Sequence, residues 1–407
     1  MKTKLTISIT LLLMSVFIAK AQWTELTSGT TMEYLNSVFF TDASTGYVVG
    51  GTISSGGQGS ISKTTDGGDT WTHAIEGTNI LESVYFADAD TGYIVGRNGV
   101  ILKTANAGGV WLPQTSGTTS LLRCVFFVDP YIGYVVGSDG VILKTTDGGA
   151  NWIAQTSGVT NELYSVFFID ANIGYVSGFG GTILKTTNGG ATWVAQTSGY
   201  PFANLYSVYF VDANIGYISG YTFGFNHSIL LKTTDGGANW TQLVNGIPTG
   251  GGSPHLRAVY FKNANEGWAV GDGGFITKTT DGAANWTTQV SPVTQALRAI
   301  HFPVSTVGYI VGDWGKIIRE GDPTVSVSAV SSENQLMIYP NPVSDVLNIH
   351  TQNNNSLVEI YNPMGQLIHT STFNDNTQIP THGFAAGVYI VKVSSGTDVR
   401  YEKIIVE

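Results

Sequence analysis

The sequence predicts an all-β protein, a seven-bladed β-propeller followed by a small Ig-like β-sandwich. Three observations carry this. The stretch Lys63–Trp71, KTTDGGDTW, has five further copies, at Lys103, Lys144, Lys185, Lys232 and Lys278, with Trp-to-Trp spacings of 40, 41, 41, 47 and 46 residues. A second signature, an apolar strand, an Asp or Asn turn and then Gly-aromatic-x-x-Gly, recurs seven times, as in SVFFTDASTGYVVG (Ser37–Gly50). After Pro323 the texture changes to MIYPNPVSDVLNI, VEIYNPMGQLI and GFAAGVYIVKV, whose alternating apolar residues read as half-buried strands.

The chain opens on a secretory leader, residues 1–21. Lys2 and Lys4 supply the positive end, Leu5 to Ile18 the apolar run, and Ala19-Lys20-Ala21 the small-residue cleavage site. The apolar run is too short to span a bilayer comfortably, and no other stretch is long enough for a transmembrane helix. The propeller is expected over residues 22–321. Each unit reads as four short strands, SVFF, GYVVG, GVILKT and the Trp strand, bounded by Gly, Asp, Asn or Ser. A four-strand unit of about forty residues is the repeat of a propeller blade. The seventh unit ends at GKIIREGDP without a Trp strand. Gln22 to Thr30, QWTELTSGT, matches the missing strand, so the N-terminal strand is expected to close the last blade and remove the open edges. A Ser/Val-rich linker over 322–334 leads to the C-terminal domain, 335–407.

In the repeated turn, Thr65-Asp66-Gly67-Gly68 offers a carboxylate that can accept backbone N–H groups, and glycines that allow positive φ. Asp66, Gly68 and Trp71, Asp147, Gly149 and Trp152, and Asp235, Gly237 and Trp240 are therefore read as structural. Asn replaces Asp at Asn106 and Asn188, which a turn tolerates and a general acid does not. The loop lacks the alternating oxygens and closing glutamate of a calcium loop. It also lacks the Gly-Lys-Ser/Thr of a phosphate-binding loop.

With 51 glycines, 12% charged residues and a formal charge of −10, the chain lacks the clustered basic residues that nucleic acid requires. Its seven histidines are scattered without metal-ligand spacing, and no cofactor is expected. Cys124 is the single cysteine and stands where other repeats have Ser or Ala, so it reads as a small core residue.

The turn motif resembles the Asp-box, Ser/Thr-x-Asp-x-Gly-x-x-Trp, of bacterial neuraminidase-type repeats. The fuller repeat over residues 22 to about 321 resembles the photosystem II stability/assembly-factor propellers. Tyr339-Pro340-Asn341-Pro342, Asn362 to Gly365, Gly387-Val388-Tyr389 and the last strand resemble the type A C-terminal sorting domain of the type IX secretion system, with Phe384 where that family often has Leu. This last resemblance implies a secretion-machinery partner, export through the periplasm and across the outer membrane, and release or attachment at the surface.

In a propeller the loops entering the innermost strands share one face, and the Asp-box turns lie on the other. The residues entering the inner strands are Asn36, Glu82, Arg123, Tyr164, Tyr206, Arg257 and Arg298, which should form a ring at the channel mouth. The assembly-factor resemblance points to arginine at this register. Arg123, Arg257 and Arg298 match it, and the other four depart from it. The adjoining loops add Asn98, Asp139, Phe179, Asp272, Asp313 and Trp314, with a small flexible loop at 50–60 and aromatic loops at 200–202 and 221–227. Two readings follow. The first is a non-catalytic surface protein that binds an extracellular protein or glycan on this face. The second is an Asp-box glycoside hydrolase, sialidase- or glucanase-like, whose carboxylates would come from Glu82 and Asp313, with Asp139 and Asp272 further options.

Overall fold

The computed structural model describes residues 23–30, 33–52, 57–77, 79–223, 226–321, 337–339, 343–351, 355–362, 366–385, 387–395 and 398–406. The leader (1–21), the linker (322–334), Pro340-Asn341-Pro342 and Met364-Gly365 lie outside them. The chain divides into two units, Met1–Thr324 and Val325–Glu407.

Among the described residues the first unit holds seven four-stranded antiparallel sheets. Sheet three shows the plan: Leu122–Phe127 inside, then Gly133–Gly137, Ile142–Thr145 and Ile153–Gln155 outward. The second strand is buried along its whole length, because it is central in its sheet and covered on both faces. Its two glycines are required by space. A Cβ on Gly133 would lie 2.5 Å from the Phe127 ring, and one on Gly137 would lie 2.0 Å from the Leu121 carbonyl oxygen. The seventh sheet consists of Leu297–Val304, Val307–Gly312 and Ile317–Glu320, and its outer strand is Trp23–Leu26, paired Trp23 to Glu320 and Leu26 to Ile317. Each inner strand packs against two others. The strand Glu33–Phe40 touches both Leu81–Phe86 and Leu297–Val304, so the cycle of sheets closes as a β-propeller.

The sheets are joined by a repeated aromatic contact. The second-strand Tyr of one sheet stacks on the inner-strand Phe of the next: Tyr93 on Phe127 at 3.9 Å, Tyr134 on Phe168 at 3.8 Å, Tyr309 on Phe40 at 3.6 Å. The Trp after each turn meets that Phe edge-on, as Trp152 meets Phe127 at 86°. Serines on inner strands add polar links; the Ser37 hydroxyl accepts the Val84 N–H at 3.2 Å. Cys124 takes this serine position and is half-buried against the neighbouring strand.

In the second unit a three-stranded sheet (Met337–Tyr339, Val346–His350, Asn376–Pro380) and a four-stranded sheet (Leu367–Phe373, Ser356–Tyr361, Gly387–Ser395, Asp398–Val406) share one apolar cluster, which includes Leu347, Ile360, Tyr389 and Val391. Among the described residues no helix is long and apolar enough to cross a membrane.

Candidate functional site

At the turn end of the sheets the chemistry is uniform. Asp147 Oδ1 accepts the Thr145 hydroxyl at 2.8 Å and the Asn151 N–H at 2.9 Å, and its Oδ2 accepts the Asn151 amide at 2.8 Å. Thr145 Oγ1 in turn accepts the Gly149 N–H. Asp66 and Asp235 make the same bonds, and Asn106 and Asn188 substitute an amide oxygen. Hydrogen bonds from Thr70, Asn151 and Asn239 hold the Asp66, Asp147 and Asp235 carboxyls down at about 2, so they stay charged. Gly68, Gly149 and Gly237 all have positive φ. A Cβ on Gly149 would lie 2.8 Å from the ring of Tyr93, which belongs to the preceding sheet. The turn is also the latch between sheets. The Gly148 carbonyl accepts both the Tyr93 hydroxyl at 2.7 Å and Lys103 Nζ at 2.6 Å. Gly189, Gly236 and Gly282 are held in the same way, and Tyr309 and Arg319 hold Gly67 where the ring closes. The junction from sheet six to sheet seven differs, because the seventh sheet has no such turn. There Trp268 stacks on Phe302, and Lys278 pairs with Glu266 of its own sheet at 2.8 Å and faces Glu320 of sheet seven at 3.8 Å.

Deeper along the inner strands a second ring is aromatic. Phe39, Tyr85, Phe126, Phe167, Tyr209, Tyr260 and His301 contact one another in sequence, at centroid distances from 4.6 to 6.4 Å. His301 Nδ1 accepts the Phe40 N–H at 3.2 Å, and burial pushes its pKa down to about 4.

At the loop end the chemistry varies. Asn36, Glu82, Arg123, Tyr164, Tyr206, Arg257 and Arg298 occupy one register, and each is the extra residue of a β-bulge. The inner strand pairs through Leu122 and then Cys124, for example, leaving Arg123 unpaired. A bulge re-aims one side chain without disturbing the rest of the ladder. This ring stands three residues before the aromatic ring, about 10 Å shallower at the usual rise per residue.

The ring side chains engage one another. Glu82 Oε2 meets Arg123 at 3.1 Å, and Glu82 Oε1 faces Arg97 at 3.7 Å. Arg123 also binds Glu162 at 2.7 Å and lies 5.9 Å from the Tyr164 ring centroid. Burial opposes its charge, but Glu82 and Glu162 more than offset this and hold the guanidinium pKa above its ordinary value. Tyr164 and Tyr206 lie 5.4 Å apart, tilted by 48°. Arg257 stands 5.2 Å from Tyr206 and grips Asp272 through two bonds, at 2.8 and 3.2 Å. Arg298 is paired with Asp313 and lies 4.9 Å from the Tyr34 ring. Asn36 donates to the Leu81 carbonyl at 2.9 Å. Trp314 is half-exposed at positive φ and lines a separate groove with Glu25 to Thr30. Asp139 accepts from Ser120, and Phe179 is exposed.

Sequence reasoning missed Glu162, Tyr34 and His255, which complete these contacts from neighbouring sheets. It also missed a network on sheet one, in which buried Glu33 binds His73 at 3.1 Å and Ser60 at 3.0 Å, and His73 meets Ser62 at 3.1 Å. Ser62 is 2% exposed, so its hydroxyl is closed to any substrate. Among the described residues no group of three or more His, Cys, Asp or Glu could hold a metal ion.

Comparison with known proteins follows the same division. Residues 16–115 and 154–256 match the photosynthesis system II assembly factor YCF48 family, and residues 337–407 match the secretion system C-terminal sorting domain. No curated relative matches the sequence. Among solved structures, a YCF48 with a D1 peptide bound aligns at 20% identity and TM-score 0.61 over 74% of this chain and 97% of its own. YCF48 from Cyanidioschyzon merolae aligns at 20% and 0.60 over 74% and 99%. PorZ of Porphyromonas gingivalis, a bacterial surface component of the type IX secretion system, aligns at 12% and 0.53 over 89% and 58%. At these identities the structural likeness is one of fold. The sorting domain implies interaction with the type IX machinery and secretion or cell-surface attachment.

Proposed function

For a chain that unites photosystem II assembly-factor repeats with a type IX sorting domain, we propose a non-catalytic binding scaffold that recognises an extracellular protein or glycan on the loop face of its propeller. In this reading the leader ends at Ala21, the seven sheets are seven blades, and Trp23–Leu26 completes the seventh. Residues 335–407 form an Ig-like sandwich that addresses the chain to the secretion machinery through the periplasm.

The observation that carries the proposal is the contrast within each inner strand. One bulged position per sheet is freed from the repeat, and five of its side chains, from Glu82 to Arg257, form a contiguous arc at the mouth. Varied residues on a rigid repeated scaffold are how a propeller acquires a binding surface. The D1 peptide complex of YCF48 supports the use of this fold for recognition. The carboxylates a hydrolase would need are engaged, Glu82 by Arg123 and Arg97, and Asp313 by Arg298. Incubation with sialosides and β-glucans tests the proposal. No turnover is expected, and turnover abolished by Glu82→Gln or Asp313→Asn would overturn it. Pull-down and glycan-array capture, lost on Arg123→Ala or Tyr164→Ala, is the expected positive result.

A further inference from the structure

The arginines at the mouth of the propeller are all matched by carboxylates. Four guanidiniums, Arg97, Arg123, Arg257 and Arg298, face four carboxylates, Glu82, Glu162, Asp272 and Asp313, and every one of the eight has an opposite partner among the others. At Arg123, Arg257 and Arg298, which are partly buried, an anionic ligand would have to displace a carboxylate and leave it unpaired, which costs more than the new contact returns. The chain's formal charge of −10 repels such a ligand further. Beside these ion pairs lies a cluster of aromatic rings whose exposed edge is Phe223.

That surface is concentrated at sheets five and six. His255 stacks on Tyr221 at 3.7 Å and parallel to Tyr206 at 6.3 Å, with Phe223 edge-on at 5.7 Å. Phe223 is 53% exposed. The polar groups among these rings are incompletely used. His255 Nδ1 is buried without a hydrogen bond, the nearest carboxylate oxygen being Asp272 Oδ2 at 3.6 Å. Burial keeps this imidazole below its ordinary pKa, so it is neutral at pH 7. The Asn204 amide donates to the Tyr206 hydroxyl oxygen at 3.2 Å, while its own Oδ1 is buried without a partner. Flipping the amide moves the deficit to its nitrogen and does not remove it. Beside these groups runs a groove of about 760 Å³ lined by Tyr221, His255, Asp272, Thr288, Gln289 and Ser291.

We propose that this quadrant, Tyr206, Asn204, Tyr221, Phe223, His255 and the Arg257–Asp272 pair, is a carbohydrate subsite that takes an uncharged glycan chain. The inference rests on the loop-face binding reading and names its ligand class. A neutral sugar presents an apolar C–H face to a flat ring and hydroxyls that both donate and accept. Those are the complements of an aromatic wall whose outer edge is the exposed Phe223, with Thr288, Gln289 and Ser291 along the groove. A sugar also leaves every ion pair of the mouth intact.

The test is titration calorimetry of the purified chain with three probes: a neutral cello- or mannohexaose, an oligogalacturonate of equal length, and a peptide ending in a free carboxylate. The neutral hexasaccharide is expected to bind with an affinity unchanged between 50 and 500 mM NaCl. Tyr206→Ala and Phe223→Ala should each weaken it at least tenfold, about the loss expected for an aromatic anchor. The melting temperature of Phe223→Ala serves as the control for folding, since that side chain is exposed. Tighter binding of the galacturonate, a salt-sensitive affinity, indifference to both substitutions, or no binding of any neutral probe overturns the proposal. If the peptide alone binds, the glycan subsite fails while the binding scaffold stands. If no probe binds and pull-down also fails, both fall.

Discussion

The two ends of the propeller sheets are built by opposite rules. At the turn end one solution is repeated: Asp or Asn with Thr and Gly in the turn, Tyr and Lys on its carbonyl, Phe between Tyr and Trp. At the loop end one position per sheet is bulged out of the ladder and carries Asn, Glu, Arg or Tyr. The difference separates stability from recognition within a single forty-residue unit. Hydrogen bonds and stacking that must recur at each junction tolerate little change. A bulged residue has no partner in the strand ladder, so pairing does not fix its identity.

Breaking the uniform end should cost most. Phe127→Ala removes the ring held between Tyr93 and Trp152 and opens a cavity at a position 2% exposed. A loss of about 3–5 kcal/mol is expected by urea denaturation. A loss under 1 kcal/mol would mean the sheets are not held by this stack.

The histidine of the aromatic ring sharpens the comparison through pH. Burial lowers the His301 pKa to about 4, below the unfolded value of about 6.5. As pH falls, the unfolded chain takes up the proton first. Stability that is intact above about 6.5 is therefore lost progressively toward 4, by up to ~3 kcal/mol and less where channel water screens the charge. His301→Phe should flatten this part of the pH profile relative to the parent chain, as read from urea midpoints at pH 7 and pH 4.5.

Two serines deviate in the opposite sense. Ser177 and Ser219 are fully buried with hydroxyls lacking partners, where sheets two and three have Val95 and Val136. Ser177→Val should raise stability by about 1–2 kcal/mol. A destabilised variant would reveal a partner for that hydroxyl.

In the turn itself, Asp66→Ala should cost about 1 kcal/mol through lost hydrogen bonds, and Asp66→Asn less, as Asn106 and Asn188 already show an amide in this role. The depressed Asp66 pKa adds a sign: its stabilisation is present above about 3.8 and is lost as pH falls through about 2. The smallest effect on folding is expected at the loop end. Tyr164→Ala should move the melting temperature little while weakening capture of a ligand, and the reverse pattern would make the bulged ring structural.

Much of this is legible in the sequence. The repeat of KTTDGGxxW and of Gly-Tyr-x-x-Gly announced short strands in forty-residue units, because turn glycines and aspartates act through bonds within four residues. The register of the seven ring residues was legible for the same reason. Their pairing was not. Arg123 binds Glu82 and Glu162, roughly forty residues away on either side, and Arg298 lies over Tyr34 from the far end of the unit. The three arginines match the arginine register of the assembly-factor resemblance, and the structure pairs each of them with a carboxylate. Glu162 carried no signal beyond its place in a loop before Tyr164.

By itself, then, the sequence determined the local terms: strand lengths, turn chemistry, the periodic core, and the sorting signal at the C-terminus, since each depends on residues near one another in the chain. Only the tertiary structure decided which side chain meets which across neighbouring sheets, that the arginines are spoken for, that seven aromatic side chains meet in a ring within the channel, and that polar atoms are left unpaired beside Tyr206. Those outcomes depend on distances of a few ångströms between residues tens to hundreds of positions apart. A repeat pattern constrains such distances to a register without selecting the partners.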